Sequence, residues 1–357
     1  MKEALLTQPT TFTLEPKQGP RIQATLQDDL LQVNLDGHVV LRLALRERSP
    51  KALVAVLQRL ENQDARPLRW ALLGALHLVF TADLQIQQLS VDFSEAPQAL
   101  AALLRSGIGR RGEDTSAICS RELFLQQADL WLIGEPSSAY PLAYTLSNGR
   151  RHPQRPPRNE DTVYQRFIPA LGKTFSLRTL NAELDLERLH RWMNNPRVAK
   201  FWGEDGDLDK HRAFIVGALA DPRNHPLIAS LDGEPFAYFE AYWAKEDRIA
   251  PFYDVGDYDR GIHMLVGEDA VRGAHIVAAW LPSLLHYLFL DDVRTQVVVC
   301  EPRADNERMI GYLQRYGFAY RKQFDFPHKR AALMTLEREV FATGTWLTGT
   351  ASPFPAK

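Results

Sequence analysis

Within the run from Gly261 to Arg308 the residue types that could do chemistry together, His263, Arg272, Gly273 and Glu301, fall inside one strand–turn–helix–strand pattern. Ile262, Met264 and Val266 alternate with His263 and Leu265 until Gly267 ends the run, which predicts a short strand. From Ala274 to Leu290 the apolar residues Ile276, Trp280, Leu284, Tyr287 and Leu288 recur three or four apart, the spacing of a helix. Val297–Cys300 is continuously apolar, as a strand covered on both faces should be. A turn that delivers a helix N-terminus makes a site for an anion, because unpaired backbone N–H groups and the helix dipole point at it. Arg272 adds a fixed positive charge there, and Gly273 lets the backbone come close. His263 titrates near neutrality and could accept a proton, although a single His on an apolar strand is more often a satisfied core residue.

The elements that must hold this run in place read as follows. Ile22, Ala24 and Leu26, then Leu30–Val33, then Val39–Leu43 after Asp36-Gly37, predict a meander. Ser49-Pro50 predicts a helix to Leu60, with further helices over 67–80 and 95–105 and strands over 84–91 and 117–127. The segment 141–158, rich in proline and arginine, predicts an exposed linker whose arginines are solvated. Beyond it come a strand at 175–179 and a helix capped by Asn181, with Leu184, Leu186 and Leu189 on its apolar face, stopped by Asn194-Asn195-Pro196. A loop over 198–206, a helix over 208–220 and a hairpin across Asp232-Gly233 follow, then an aromatic insertion at 243–259, too long for a tight turn. A helix over 306–316, strands over 318–325 and 331–337 and a loosely held tail complete the chain.

Residues 77–92 lie over 286–301 without a gap, matching at His, Phe, Asp and Gln, and 102–108 lie over 312–318. A duplication followed by divergence explains that order. The first copy has Asp64-Ala65-Arg66-Pro67 before its helix and no glycine. The division is therefore 1–140, a linker at 141–165, a second domain at 166–340 and a tail at 341–357.

Length suits two domains, and near-balanced charge, net −2, argues against a nucleic-acid binder and a polybasic membrane anchor. The first residues carry no signal pattern and no apolar run is long enough to span a bilayer, so a soluble cytoplasmic protein is expected. Cys119 and Cys300 sit in apolar runs and read as reduced packing residues; no His, Cys or carboxylate pair has metal-ligand spacing.

Taken with this element order, R-T-L-N (178–181), N-N-P-R-V-A-K-F-W (194–202), G-I-H-M-L-V-G (261–267), H-Y-L-F-L (286–290), E-P-R-A-D-N (301–306) and L-Q-R-Y-G-F (313–318) resemble the GNAT superfamily of acyl-CoA-dependent N-acyltransferases, in its siderophore-biosynthesis branch. The resemblance covers about 175–337 and implies an α/β protein with two mixed-sheet domains of this type in tandem, the first degenerate. It implies transfer of an acyl group, acetyl first, from acyl-CoA to the side-chain hydroxylamine of N-hydroxyornithine or N-hydroxylysine during hydroxamate siderophore formation for iron acquisition, without a metal, in a monomer or homodimer. His263 becomes the candidate base and Glu301 its partner or a substrate ligand. Met264 and Leu265 would offer backbone N–H groups to the thioester oxygen; Arg272, Gly273 and Ala274 would hold the diphosphate, and Asn306 the pantetheine arm or its own helix. Trp202, Glu240, Tyr242, Trp243, Asp254 and Asp259, with Asp257 nearby, are assigned to the acceptor pocket. Three departures stand out: His275 where a small residue is usual, Leu313 where a tyrosine acts as acid toward the CoA thiolate, and Arg303 where an acidic residue is frequent. Acyl transfer to an unhydroxylated amine, such as an aminoglycoside or a protein, and a non-catalytic CoA-binding scaffold are the alternative readings.

Overall fold

The computed structural model describes residues 10–348, apart from 62, 63, 135, 138, 139 and 148. It divides into two compact units, Met1–Trp131 and Leu132–Lys357. The first unit runs β1 (Thr10–Leu14), β2 (Ile22–Gln27), β3 (Leu30–Leu35), β4 (His38–Arg48), β5 (Ala52–Leu60), α1 (Ala65–Ala82), β6 (Gln88–Asp92), α2 (Pro97–Ser106), β7 (Arg110–Arg111), β8 (Ser116–Ser120) and α3 (Arg121–Leu125). The second begins with a hairpin, β9 (Tyr144–Ser147) and β10 (Arg150–Pro153), then β11 (Thr162–Ile168) and β12 (Lys173–Thr179). Three helices follow, α4 (Ala182–Met193), α5 (Pro196–Trp202) and α6 (Leu208–Ala220), then β13 (Asn224–Leu231), β14 (Glu234–Trp243) and β15 (Arg260–Val266). The chain continues as α7 (Ala274–Asp291), β16 (Val297–Cys300), α8 (Glu307–Arg315), β17 (Ala319–Phe326), β18 (Lys329–Glu337) and α9 (Arg338–Thr343).

Each unit is built on an eight-stranded mixed sheet, and the two sheets share one order: β1-β2-β3-β4-β5-β6-β8-β7 and β11-β12-β13-β14-β15-β16-β18-β17. In both, the parallel pair (β5–β6, β15–β16) is joined by an 18-residue helix, α1 or α7, and His77 and His286 stand at the same step of it. Both histidines are packed residues: His77 meets Thr81 Oγ1, and His286 Nδ1 lies 2.8 Å from the Tyr164 hydroxyl.

Several expectations are corrected. Residues 52–60 form a strand, because Leu53, Ala55 and Leu57 alternate inward between two neighbouring strands and Ser49 N–H closes a tight turn on Ala52 O (2.9 Å) instead of starting a helix. The 198–206 loop begins as helix α5: Asn194 ends α4, Asn195 caps α5 by accepting from Arg197 N–H, and Pro196 occupies its first turn. The strand expected over 117–127 stops at Ser120, whose side chain caps α3. Leu184 is exposed, and the buried stripe of α4 is Asp185, Leu189, Trp192 and Met193.

The linker is likewise revised, and the unit boundary falls after Trp131 rather than at 140. Much of 141–165 is not free linker but strand of the second unit, as β9, β10 and the first part of β11. Its arginines do structural work: Arg155 is buried with two hydrogen bonds to Glu246 (2.7 and 2.6 Å), and Arg158 donates to the carbonyls of Asp221 and Asn224 (2.6 Å each). The tail starts later than 341, since Phe341 is buried against Phe289 (5.2 Å) and a short turn spans Trp346–Thr348; residues 349–357 lie outside the described ones.

Candidate active site

Strand register places the chemistry. β14 and β15 pair antiparallel with Glu240 opposite His263 and Tyr242 opposite Gly261. Alternation then puts Tyr238, Glu240, Tyr242 and His263 on one face of the sheet. β15 and β16 run parallel at Arg260↔Val298 and Gly261↔Val299, and there the pairing ends. Past that point the strands part, and side chains bridge the gap. His263 Nε2 meets Glu301 Oε1 at 2.7 Å, and His263 Nδ1 meets Glu240 Oε2 at 2.6 Å. Tyr238 donates to Glu240 Oε1 and Tyr242 to Glu301 Oε2, both at 2.8 Å. Gly261 makes the last bond possible: a Cβ there would stand 1.9 Å from the Tyr242 ring, which crosses β15 to reach β16.

This geometry sets the charges. Burial alone would lower an imidazole, but Glu301 and Glu240 on either side outweigh it and lift His263 to about 10. Burial would raise the Glu301 carboxyl, but the imidazolium, Lys329 and the Tyr242 hydroxyl bring it down to about 2. The raised imidazole and the lowered Glu301 carboxyl favour an imidazolium whose two ring N–H groups donate to Glu301 and Glu240. Both ring nitrogens of His263, the candidate base, are thus engaged by carboxyl oxygens, one of Glu240 and one of Glu301. Burial and Glu301 push the Cys300 thiol well above its ordinary range, which disfavours a thiolate.

The array opens into a cavity of about 960 Å³. Met264, Leu265, Arg272, Gly273 and Asn306 line it, as do Trp202, Glu240, His263 and Glu301. Gly273 precedes α7 with φ 121°, a conformation that favours glycine, and no side chain caps the helix, so its first N–H groups are left to a ligand. Ala274 and His275 are exposed at that start, and the His275 ring lies against the turn, with Cε1 and Nδ1 each 3.0 Å from where a Cβ on Gly273 would stand. Asn306 caps α8 by accepting from Met309 N–H (3.3 Å) while also facing the cavity. Leu313 is fully buried; the phenol on this wall belongs to its neighbour Tyr312.

Other assigned residues lie elsewhere. Tyr242 stands behind the array as the partner of Glu301. Trp243 is on the opposite face, stacked between the guanidinium groups of Arg155 and Arg260 at 4.2 and 4.1 Å. Asp254 is exposed, and Asp259 is buried, accepting from Gly256 N–H (2.8 Å) and Tyr253 (3.2 Å). Asp257 accepts from Tyr144. The aspartates thus shape the 243–259 loop. Sequence reasoning missed Tyr238, Arg248, Tyr312, His328 and Lys329. The alternation Tyr238–Glu240–Tyr242, three polar-tipped side chains on one face of an otherwise apolar strand, was the available signal for the first.

In the first unit the same register equates Ala44, Val56 and Asp92 with Glu240, His263 and Glu301. There the parallel strands stay paired from Ala52↔Gln88 to Val56↔Asp92, over the positions where β15 and β16 have separated.

A family model described as the acetyltransferase (GNAT) domain matches residues 181–326. A Schizosaccharomyces pombe protein, provisionally named a lysine N-acyltransferase, is 36% identical over 335 residues, covering 93% of this chain and 97% of that one. The N(6)-hydroxylysine O-acetyltransferase of Escherichia coli is 38% identical over 281 residues, covering 78% of this chain and 86% of its own. A hydroxyornithine transacylase of Ajellomyces capsulatus is 42% identical over 235 residues, 61% of this chain and 54% of that longer protein.

Proposed function

The chain belongs to the GNAT acetyltransferase family, in the branch that includes hydroxylysine and hydroxyornithine acyltransferases, and is an acyl-CoA-dependent acyltransferase; from that premise we propose that its acceptor is the side-chain hydroxylamine of N-hydroxylysine or N-hydroxyornithine, acylated in the cytoplasm on the way to a hydroxamate siderophore. The observation that carries this is the clamping of His263 between Glu240 and Glu301 at 2.6 and 2.7 Å. An ordinary alkyl amine is charged at neutral pH and must lose a proton before it can attack a thioester. An imidazolium clamped by two carboxylates does not remove it. A hydroxylamine is far less basic, is already neutral, and needs an acceptor only for the proton released as the tetrahedral intermediate collapses.

Glu240 is that acceptor in our reading: it is the carboxyl group of the array that is both partly exposed and on the cavity wall, whereas the Glu301 side chain is fully buried. His263 and Glu301 hold it and spread the charge. The β15 edge past Gly261, no longer paired to β16, offers backbone N–H groups around Met264 and Leu265 to the thioester oxygen. Arg272 and the start of α7 take the diphosphate, Asn306 borders the pantetheine arm, and the Tyr312 hydroxyl returns a proton to the CoA thiolate in place of the residue at 313. Trp202, 6.4 Å from the imidazole, walls the acceptor. The first unit, with Ala44 and Val56 in place of an acid and a histidine, is a degenerate copy.

Turnover of acetyl-CoA with hydroxylated and unhydroxylated lysine and ornithine tests the reading. The hydroxylated pair should be faster by roughly a hundredfold or more, the scale on which general acid–base help is lost for the charged amine. Equal rates on plain lysine, the acceptor class in the name of the S. pombe relative, would overturn it. Glu240→Gln should lower kcat by roughly 10²–10⁴ without weakening CoA binding.

A further inference from the structure

On the face of the sheet that carries Glu240, His263 and Glu301, the cavity wall also holds Arg248, His328 and Lys329. Arg248 comes from the aromatic 243–259 loop, His328 from the turn between β17 and β18, and Lys329 is the first residue of β18. Phe326 brings them together, with the Arg248 guanidinium 5.2 Å and the Lys329 ammonium 5.7 Å from its ring centroid and the His328 imidazole stacked at 5.5 Å. Among the described residues, Glu301 is the acid that answers the charge of Arg248 and Lys329. Lys329 donates to the Glu301 carbonyl at 2.7 Å, and its distance to the Glu301 carboxylate is 3.9 Å; Arg248 reaches that carboxylate only at 4.0 Å. Glu301 is already taken by His263 at 2.7 Å and by Tyr242 at 2.8 Å. Around the array, Glu240 and Glu301 stand against the imidazolium, the guanidinium and the ammonium, while Asp247, a further carboxyl group that acts on Glu301 and His263, is shared with Arg223 at 3.5 Å. The crowding shows in the groups themselves: burial lowers both His328 and Lys329, and Arg248 lowers them further.

We propose that Arg248, with Lys329 and His328 beside it, binds the α-carboxylate of the acceptor amino acid. This rests on the acyl-transfer reading of the same cavity and adds to it what the enzyme recognises at the far end of the acceptor. The cationic group is not the diphosphate site. That site lies at the start of α7, whose Trp280 packs on Phe239 (5.1 Å), and Phe239 alternates to the sheet face opposite Glu240. An α-amino acid with its side-chain nitrogen at Glu240 extends across the array, and its carboxylate then meets a planar guanidinium able to pair with it through two hydrogen bonds.

The test compares kcat/KM for N-hydroxylysine and N-hydroxyornithine with that for their α-carboxamides, and repeats the comparison on lysine and ornithine. The wild-type enzyme should prefer the free acids by roughly tenfold to a hundredfold, as expected for loss of a charge-assisted pair. Arg248→Ala, and Arg248→Ala with His328→Ala, should abolish that preference through KM for the acid, with kcat on the carboxamides unchanged; Arg248→Lys should restore part of it. Arg248 is half exposed, and melting curves verify that the variants fold. Equal wild-type kcat/KM on acid and carboxamide, or an equal loss on both in the variants, would overturn the proposal. The outcomes separate: equal use of hydroxylated and plain amines sinks the hydroxylamine reading, yet the acid-to-carboxamide ratio still judges the carboxylate site.

Discussion

His263 shows how two neighbours can reverse the meaning of one residue. Alone on a strand an imidazole is half-charged near neutrality; between Glu240 at 2.6 Å and Glu301 at 2.7 Å its proton is held on both sides. At about pH 8, where an ordinary histidine is neutral, both of its ring nitrogens should still be protonated, and nitrogen chemical shifts of the labelled imidazole report this directly. A neutral tautomer would remove the ground for choosing a hydroxylamine. Stability carries the same signature with a definite sign. The folded pKa of His263 is raised from 6.5 to about 10, so its contribution is complete below 6.5 and drains away as pH climbs to 10. The folded pKa of Glu301 is depressed from 4.5 to about 2, so its contribution is complete above 4.5 and is lost as pH falls to 2. The margin in Tm between wild type and His263→Gln should therefore be widest between those limits and shrink toward alkaline pH; a margin that grows there would contradict the charged array.

At the scale of elements, what could be read from the sequence was what periodicity and local caps dictate. The helix beginning at Ala274, the Asn181 cap, the hairpin across Asp232-Gly233 and the glycine turn at Gly273 all follow from a few neighbouring residues. What was illegible depends on partners distant in the chain. Ala52–Leu60 satisfies helical and strand spacing alike, and only neighbouring β4 and β6 decide it. Tyr242 looked like a pocket wall because nothing local reveals that β15 carries a glycine beneath its ring. That glycine gives an element-level prediction. Gly261→Ala adds a methyl group where the Tyr242 ring already lies, so the ring must leave Glu301. The change should destabilise the fold by roughly 1–3 kcal/mol, as overpacking does. It should also lower kcat, read as a fall in Tm together with turnover. Unchanged Tm and rate would mean the β14–β15–β16 crossing is looser than drawn.

For the whole molecule, the shared strand order of the two sheets says that one topology was used twice, and the register says where the copies diverged. In the second unit, pairing ends after Gly261↔Val299, beside the cavity; in the first, pairing runs on to Val56↔Asp92. The charge pattern went with it, since Ala44 and Val56 cannot hold a proton between them as Glu240 and His263 do. The turn before α1 begins at Asp64 with no glycine, and an acidic side chain there repels a diphosphate, whereas Arg272 and Gly273 precede α7. Calorimetric titration of the full chain with CoA should therefore give one site per chain, and Arg272→Ala should weaken that site by roughly tenfold, the loss of one charge-assisted contact. A second site that survives Arg272→Ala would show that the first sheet still binds the co-substrate, and the degenerate reading of that unit would fall.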